Sequence, residues 1–150
     1  MGIIKVFTDG AARDNPGKAG IGIIIYDENN FILSSYKEYL GETTNNQAEY
    51  KALIKSIELI KKIKEKGGHL FERIEFYSDS ELIVNQVKLD YRVKEPELAL
   101  LNNQFLVKMK KIGIPFTISH IPREQNKAAD RLANMAIDAK SLTIQKNEFL

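Results

Sequence analysis

The sequence predicts an α/β fold: a five-stranded mixed sheet, three antiparallel strands followed by parallel ones, flanked by helices. Three observations carry this. Three β-rich runs open the chain in succession, helical periodicity takes over at residue 45, and from there strand-like and helical segments alternate. Consecutive strands joined by turns form an antiparallel meander, whereas strands separated by helices pair in parallel through right-handed crossovers.

Residues 3–8 (IIKVFT) form an apolar run that stops at Asp9-Gly10. A loop containing Asn15-Pro16-Gly17 leads to a second run, 19–26, and the turn-like 27–30 leads to a third, 31–39. From Asn45 to about residue 66 apolar side chains recur at helical spacing, and Gly67-Gly68 supplies a stop. "RIEFYS" (73–78) is a fourth strand, and Asp79-Ser80 opens a short helix to about residue 87. The turn "KLDYRVKEP" places Pro96 in the first turn of a helix over 96–112, which Gly113 and Pro115 terminate. "FTISH" (116–120) is the last strand and 126–139 the closing amphipathic helix. The tail 140–150 alternates enough to dock as a further strand, with a frayed terminus as the simpler expectation.

Composition narrows function by exclusion. A length of 150 residues suffices for one domain whose core needs neither disulfides nor structural metal. With 43% hydrophobic and 28% charged residues and no apolar run long enough to cross a bilayer, a soluble globular protein is expected. The opening MGIIKVFTDG lacks the basic leader and longer apolar stretch of a secretory signal. Absence of cysteine excludes disulfides and thiolate metal sites and suits a reducing cytoplasm. A net charge of +2 gives no bulk electrostatic argument for nucleic acid, and the lysines grouped at 51–66 and 108–111 read as solvated helix faces. "GKAGIG" imitates a phosphate-cradling loop, but its glycines open a strand, so the amides and dipole of a helix N-terminus are missing.

The informative residues are acidic. Glu49, in "TTNNQAEYKAL", lies on the helical face that Leu53 and Ile57 mark as buried. An unpaired buried carboxylate is costly, so a proton, a basic partner or a metal has to neutralise it. In an open mixed sheet the ligand crevice lies beyond the carboxyl ends of the parallel strands. Asp9 closes the first run and Asp79 the fourth, so they are neighbours if those strands pair, and Asp130, early in the last helix, leans over the same edge. Singly, Asp9-Gly10 is a common strand-to-turn dipeptide, Asp79-Ser80 a helix cap, and Asp130 a first-turn acid favoured by the helix dipole. Together, four carboxylates from four elements converge on one edge, where their repulsion demands cations. An all-oxygen donor set suits Mg2+ or Mn2+ rather than zinc.

"FTDGAARDNPGKAGIG", "TTNNQAEYKAL", "YSDSELIVNQV" and "IPREQNKAADRLAN" resemble, in order and spacing, the four signature blocks of ribonuclease H of type 1, over nearly the whole chain. The resemblance implies the ribonuclease H-like fold, with the first strand central. It also implies a metal-dependent endonuclease that cuts the RNA strand of RNA/DNA hybrids, leaving 5′-phosphate and 3′-hydroxyl ends. Asp9, Glu49, Asp79 and Asp130 would then be the catalytic carboxylates and hold two Mg2+ ions, one shared by Asp9 and Asp130, the other by Asp9, Glu49 and Asp79.

By the same resemblance Asn15, Asn45 and Asn46 report on the minor groove, where a hybrid displays 2′-hydroxyls on one strand only. Gln47 and Glu81 stand at substrate-contact positions, although Glu81 departs from the more usual glutamine. Read from the residues alone, Asn15 is a turn residue before Pro16 and Asn45 a helix cap. Counting back from Asp130, His120 falls where many relatives place an auxiliary histidine, yet it closes a strand. "IPREQN" is closer to a shorter variant of the family, in which an arginine, here Arg123, takes that place. The segment 88–98 is too short for the basic protrusion of some relatives, and no hybrid-binding domain precedes Met1, so salt-dependent binding through the remaining lysines is expected. A monomer is expected, cleavage of duplex RNA stays open, and the rival readings are a DNA-acting nuclease of the same superfold and a nucleic-acid-binding module without catalysis.

Overall fold

The computed structural model describes residues 2–67 and 71–148, with side chains as far as Lys140. Gly68 of the expected helix stop and the last two residues of the expected tail lie outside the described residues. In chain order the elements are β1 (Gly2–Arg13), β2 (Gly17–Tyr26), β3 (Ile32–Thr43), α1 (Asn45–Glu65), β4 (Phe71–Ser78), α2 (Glu81–Val87), α3 (Pro96–Ile112), β5 (Phe116–His120), a 3-10 turn over Arg123–Gln125, and α4 (Lys127–Glu148). The sheet order is β3-β2-β1-β4-β5. Strands β1, β2 and β3 pair antiparallel, while β4 pairs in parallel with both β1 and β5, as the order of the sequence segments requires.

Strands β2, β3 and β4 run two to four residues beyond the sequence reading at one end, and two boundaries differ more. β1 does not stop at Asp9. Its parallel ladder with β4 ends at Phe7↔Tyr77, but its antiparallel ladder with β2 continues from Asp9↔Gly22 to Arg13↔Lys18. Gly10, Ala11 and Ala12 have weak intrinsic strand preference, and the cross-hairpin hydrogen bonds override it. The segment expected as a tail instead continues α4 to Glu148. A helix already nucleated adds one hydrogen bond for each residue fixed, which favours propagation over a separate strand.

One face of the sheet carries α1, with α2 and α3 beside it. Tyr50, Leu53, Ile57 and Ile60 bury against Val6, Ile21, Ile23 and Ile25, and Phe105 of α3 meets Phe76 and Phe116 edge-on with centroids 5.4 and 5.7 Å apart. A buried polar knot ties the three helices together. Tyr50 Oη donates to Gln86 Oε1 at 2.7 Å, while Asn102 Nδ2 donates to Tyr50 Oη at 3.1 Å and to the Gln86 carbonyl at 3.3 Å. Satisfying these groups mutually removes the cost of burying them and fixes α2 against α1.

The opposite face is covered by α4, which buries Ala129, Ala133, Ala136 and Ile137 over β1, β2 and β3. Two glycines set how closely the helices approach. A Cβ on Gly10 would lie 2.3 Å from the Ala48 carbonyl carbon of α1, and one on Gly22 would lie 2.0 Å from the Ala129 carbonyl oxygen of α4. Asp9 and Gly22 are cross-strand partners, so Gly10 presents to one face and Gly22 to the other. Both helices therefore meet the centre of the sheet main chain to main chain, on either side of Asp9.

Candidate active site

The parallel ladder aligns two acids. Phe7 and Tyr77 form its last rung, with rings stacked at 4.8 Å, and Asp9 and Asp79 each lie two residues further on. Two residues is one strand repeat, so both strands deliver a carboxylate to the same place beyond the ladder. Glu49 enters from the second turn of α1. Its Oε1 accepts from the Gly10 amide at 2.9 Å, and its Oε2 accepts from Ser78 Oγ at 3.3 Å. Ser80 is the residue that caps α2, accepting from Ile83 N at 3.3 Å, which leaves Asp79 free of that duty. Carboxylate oxygens of Asp9, Glu49 and Asp79 all lie within 4.8 Å of one another.

Asp130 arrives from the first turn of α4 and lines the same cavity as Asp9. The start of α4 is pinned by Asn126, which is buried and donates from Nδ2 to the Thr8 carbonyl at 2.9 Å. Asp130 N in turn donates to the Asn126 carbonyl, so one helical turn separates the anchor on β1 from the acid over Asp9. Sequence reasoning missed the roles of Asn126 and Ser78, and read Asp79-Ser80 as a cap without choosing between its two residues. Asn126 could have been found as a cap-type residue four positions before Asp130, and Ser80 as the stronger cap of its pair. Nothing in the sequence marks Ser78.

This cluster is electrostatically unsatisfied. Burial pushes the Asp9 carboxyl far up, and the charges of Glu49 and Asp79 add to it. Burial also pushes Glu49 up, to about 7, with the hydrogen bonds it accepts holding it back. Among the described residues no lysine or arginine forms an ion pair with any of the four acids. Several oxygen donors at close quarters, desolvated and without a cationic side chain, fit a hard divalent cation, which replaces the missing positive charge.

A cavity of about 410 Å³ opens over the acids and is lined by all four, with Asn45, Asn46, Ser80 and Arg123. Seven of the eleven residues singled out in the sequence therefore come together there. Asn15 is off the lining but bonded to it: its Oδ1 accepts from Asn45 N at 3.1 Å, while Asn45 Oδ1 accepts from Ala12 N at 2.8 Å. Thr44, not Asn45, is the helix cap, accepting from Gln47 N at 3.2 Å. Gln47 is turned aside, its side chain held by Thr43 and by Glu97 of α3. Glu81 is an exposed first residue of α2, and His120 is an exposed strand end paired with Ser78, outside the cavity.

Comparison with known proteins follows the same outline. Residues 7–136 match the family described as reverse transcriptase-like. The ribonuclease H of Prosthecochloris aestuarii is 30% identical over 149 residues, covering 89% of this chain and 94% of that protein. The chain belongs to the ribonuclease H family. Its type 1 character is carried by solved ribonuclease H1 structures. That of Halobacterium salinarum superposes with a TM-score of 0.81 at 33% identity, covering 91% of this chain and 98% of that one. LC11-RNase H1, solved in complex with an RNA/DNA hybrid, superposes with a TM-score of 0.84 at 43% identity, covering 93% and 99%. The chain spans 65% of the length of the curated Halobacterium salinarum ribonuclease HI, to which it is 33% identical over 140 residues, and 36% of a bifunctional protein of Mycobacterium tuberculosis. Ribonucleases H are metal-dependent, in keeping with the donor set at Asp9, Glu49 and Asp79. No helix among the described residues is long and apolar enough to cross a membrane.

Proposed function

We propose that this chain is a divalent-metal-dependent endonuclease that hydrolyses the RNA strand of RNA/DNA hybrids, leaving 5′-phosphate and 3′-hydroxyl ends. The observation that carries this reading is the close approach of the Asp9, Glu49 and Asp79 oxygens, within 4.8 Å of one another, at the base of an open cavity. Relationship to a ribonuclease H1 solved with an RNA/DNA hybrid supports the substrate class.

Asp9, Glu49 and Asp79 would hold one Mg2+, and Asp9 with Asp130 a second, with Mn2+ able to use the same donors. When bound, such ions supply Lewis-acid stabilisation of phosphate charge and lower the pKa of water. The chain's own residues fix the geometry. Asp9 would belong to both ligand sets. The Gly10 amide and Ser78 hydroxyl hold the two oxygens of Glu49 in one orientation. Asp130 would orient water in line with the scissile P–O3′ bond, and Arg123 at the cavity wall would offer charge-assisted hydrogen bonds to a phosphate oxygen.

Hybrid selectivity would come from the asparagines. The Oδ1 atoms of Asn15 and Asn45 are both occupied by backbone amides, which can only donate, so each Nδ2 remains as a donor. Minor-groove base edges and 2′-hydroxyls offer the complementary acceptors, and 2′-hydroxyls separate the RNA strand from the DNA strand. The test is one assay with Mg2+ comparing labelled hybrid, duplex RNA and duplex DNA, repeated with chelator. The RNA strand of the hybrid should be cut, with cleavage lost on chelation; preferred cleavage of duplex DNA, or a hybrid bound but left intact with both Mg2+ and Mn2+, would overturn the reading.

A further inference from the structure

Asp130 stands outside the three-acid group, and Asn134 donates a hydrogen bond to its carboxylate. Asn134, one turn further along α4, donates from Nδ2 to Asp130 Oδ1 at 3.2 Å and to the Asp130 carbonyl at 3.0 Å. An amide can present either end to a carboxylate, and only the NH2 end is attractive. Arg13 decides which end is presented. Its Nη2 donates to Asn134 Oδ1 at 3.2 Å and lies 3.4 Å from the Asn134 carbonyl, and a guanidinium cannot accept. Arg13 is itself held by Asp138, Nη1 to Oδ1 at 2.6 Å.

Arg13 is the last residue of β1, two positions before Asn15, whose Oδ1 receives the Asn45 amide. The β1–β2 hairpin thus touches Asp130 through Arg13 and Asn134, and the asparagine pair at the cavity edge through Asn15. Exposed ion pairs contribute little to stability, and the side chains of Arg13 and Asp138 are 44% and 59% exposed. The contribution of this pair lies in geometry.

We propose that Arg13 and Asn134 are positioning residues that fix the Asp130 carboxylate and couple it to the hairpin carrying Asn15. This rests on the role proposed above for Asp130. It assigns to Asn134 the orientation of a ligand carboxylate, and to Arg13 the orientation of Asn134.

The experiment uses the full chain with Arg13→Ala, Asn134→Ala, the double variant and Arg13→Lys, measuring hybrid cleavage, Mg2+ affinity by calorimetry and melting temperature. Each alanine variant should lower kcat about tenfold and weaken Mg2+ binding, with KM for the hybrid within about twofold of wild type. The double variant should lose no more than the worse single one, because both act through one hydrogen bond. Arg13→Lys, which retains a donor, should restore kcat to within about threefold. Alanine variants with wild-type kcat and Mg2+ affinity, whatever their melting temperature, would overturn the proposal. A wild-type chain that cuts no hybrid would defeat the ribonuclease reading instead; weaker Mg2+ binding by Asn134→Ala would then still support the relay, and unchanged binding would defeat it too.

Discussion

Gly10 donates its backbone N–H to Glu49 Oε1 at 2.9 Å, and a Cβ at Gly10 would stand 2.3 Å from the Ala48 carbonyl carbon. The missing side chain is what allows the amide to reach the carboxylate. Gly10→Ala should push α1 off the sheet, destabilise the protein by about 1–3 kcal/mol, and reduce hybrid cleavage far more than that loss of folded protein explains. Denaturant midpoints and cleavage rates on the same preparation check this; an alanine variant with wild-type midpoint and rate would refute the close-approach argument.

Asp9→Asn removes the acid common to both proposed ligand sets while keeping its shape. Cleavage should disappear. In metal-free buffer near neutral pH the variant should be more stable than wild type, by about 2 kcal/mol, because a neutral amide carries no cost of burial as a charge beside Glu49 and Asp79 and needs no proton to be accommodated there. Thermal melts with chelator decide it, and a lower melting temperature would mean that Asp9 is satisfied in a way the cluster geometry does not include.

The raised carboxyls give the metal-free protein a pH dependence of definite sign. Asp9 and Glu49 titrate above the ordinary carboxylate range of about 4 once folded, so at intermediate pH the folded state holds protons that the unfolded state has released. Their contribution is fully present below that range and declines as pH rises through about 7, where Glu49 titrates, and further as Asp9 follows. Melting temperature in chelator should therefore fall from pH 5 to pH 8, and added Mg2+ should recover most of it at pH 8. A flat profile in chelator would contradict the burial of these acids.

Much of this site was legible in the chain because its chemistry sits where secondary-structure grammar has little use for it. Glu49 on an apolar helix face has no ordinary explanation, and Asp9 and Asp79 follow apolar runs at places where strands should end. What escaped were contacts made across the fold. Nothing local announces that Ser78 will reach Glu49, or that Asn126 will bond the Thr8 carbonyl. The β1 boundary was misplaced for a related reason: a small-residue segment becomes strand only because β2 lies beside it. Gln47 illustrates the converse, a residue whose motif position suggests substrate and whose bonds go to Thr43 and Glu97 instead.

Arg123 and His120 separate by position. Arg123 lines the cavity, whereas His120 is exposed at the end of β5. Arg123→Ala should lower cleavage about tenfold through loss of charge stabilisation, and His120→Ala should leave it within about twofold of wild type. Steady-state rates for the two variants are sufficient, and a larger loss at His120 would reverse the assignment.

The main-chain contacts at Gly10 and Gly22 have a consequence for how this sequence can diverge. Where two helices rest on a sheet through backbone atoms, the spacing between the acids they carry does not depend on which aliphatic groups fill the interior elsewhere. Exchanges among Ile, Leu and Val around Ile57 or Ile23 would then erode thermal tolerance long before disturbing the cleft, so the hydrophobic interior is free to drift while the spacing of the acids stays locked.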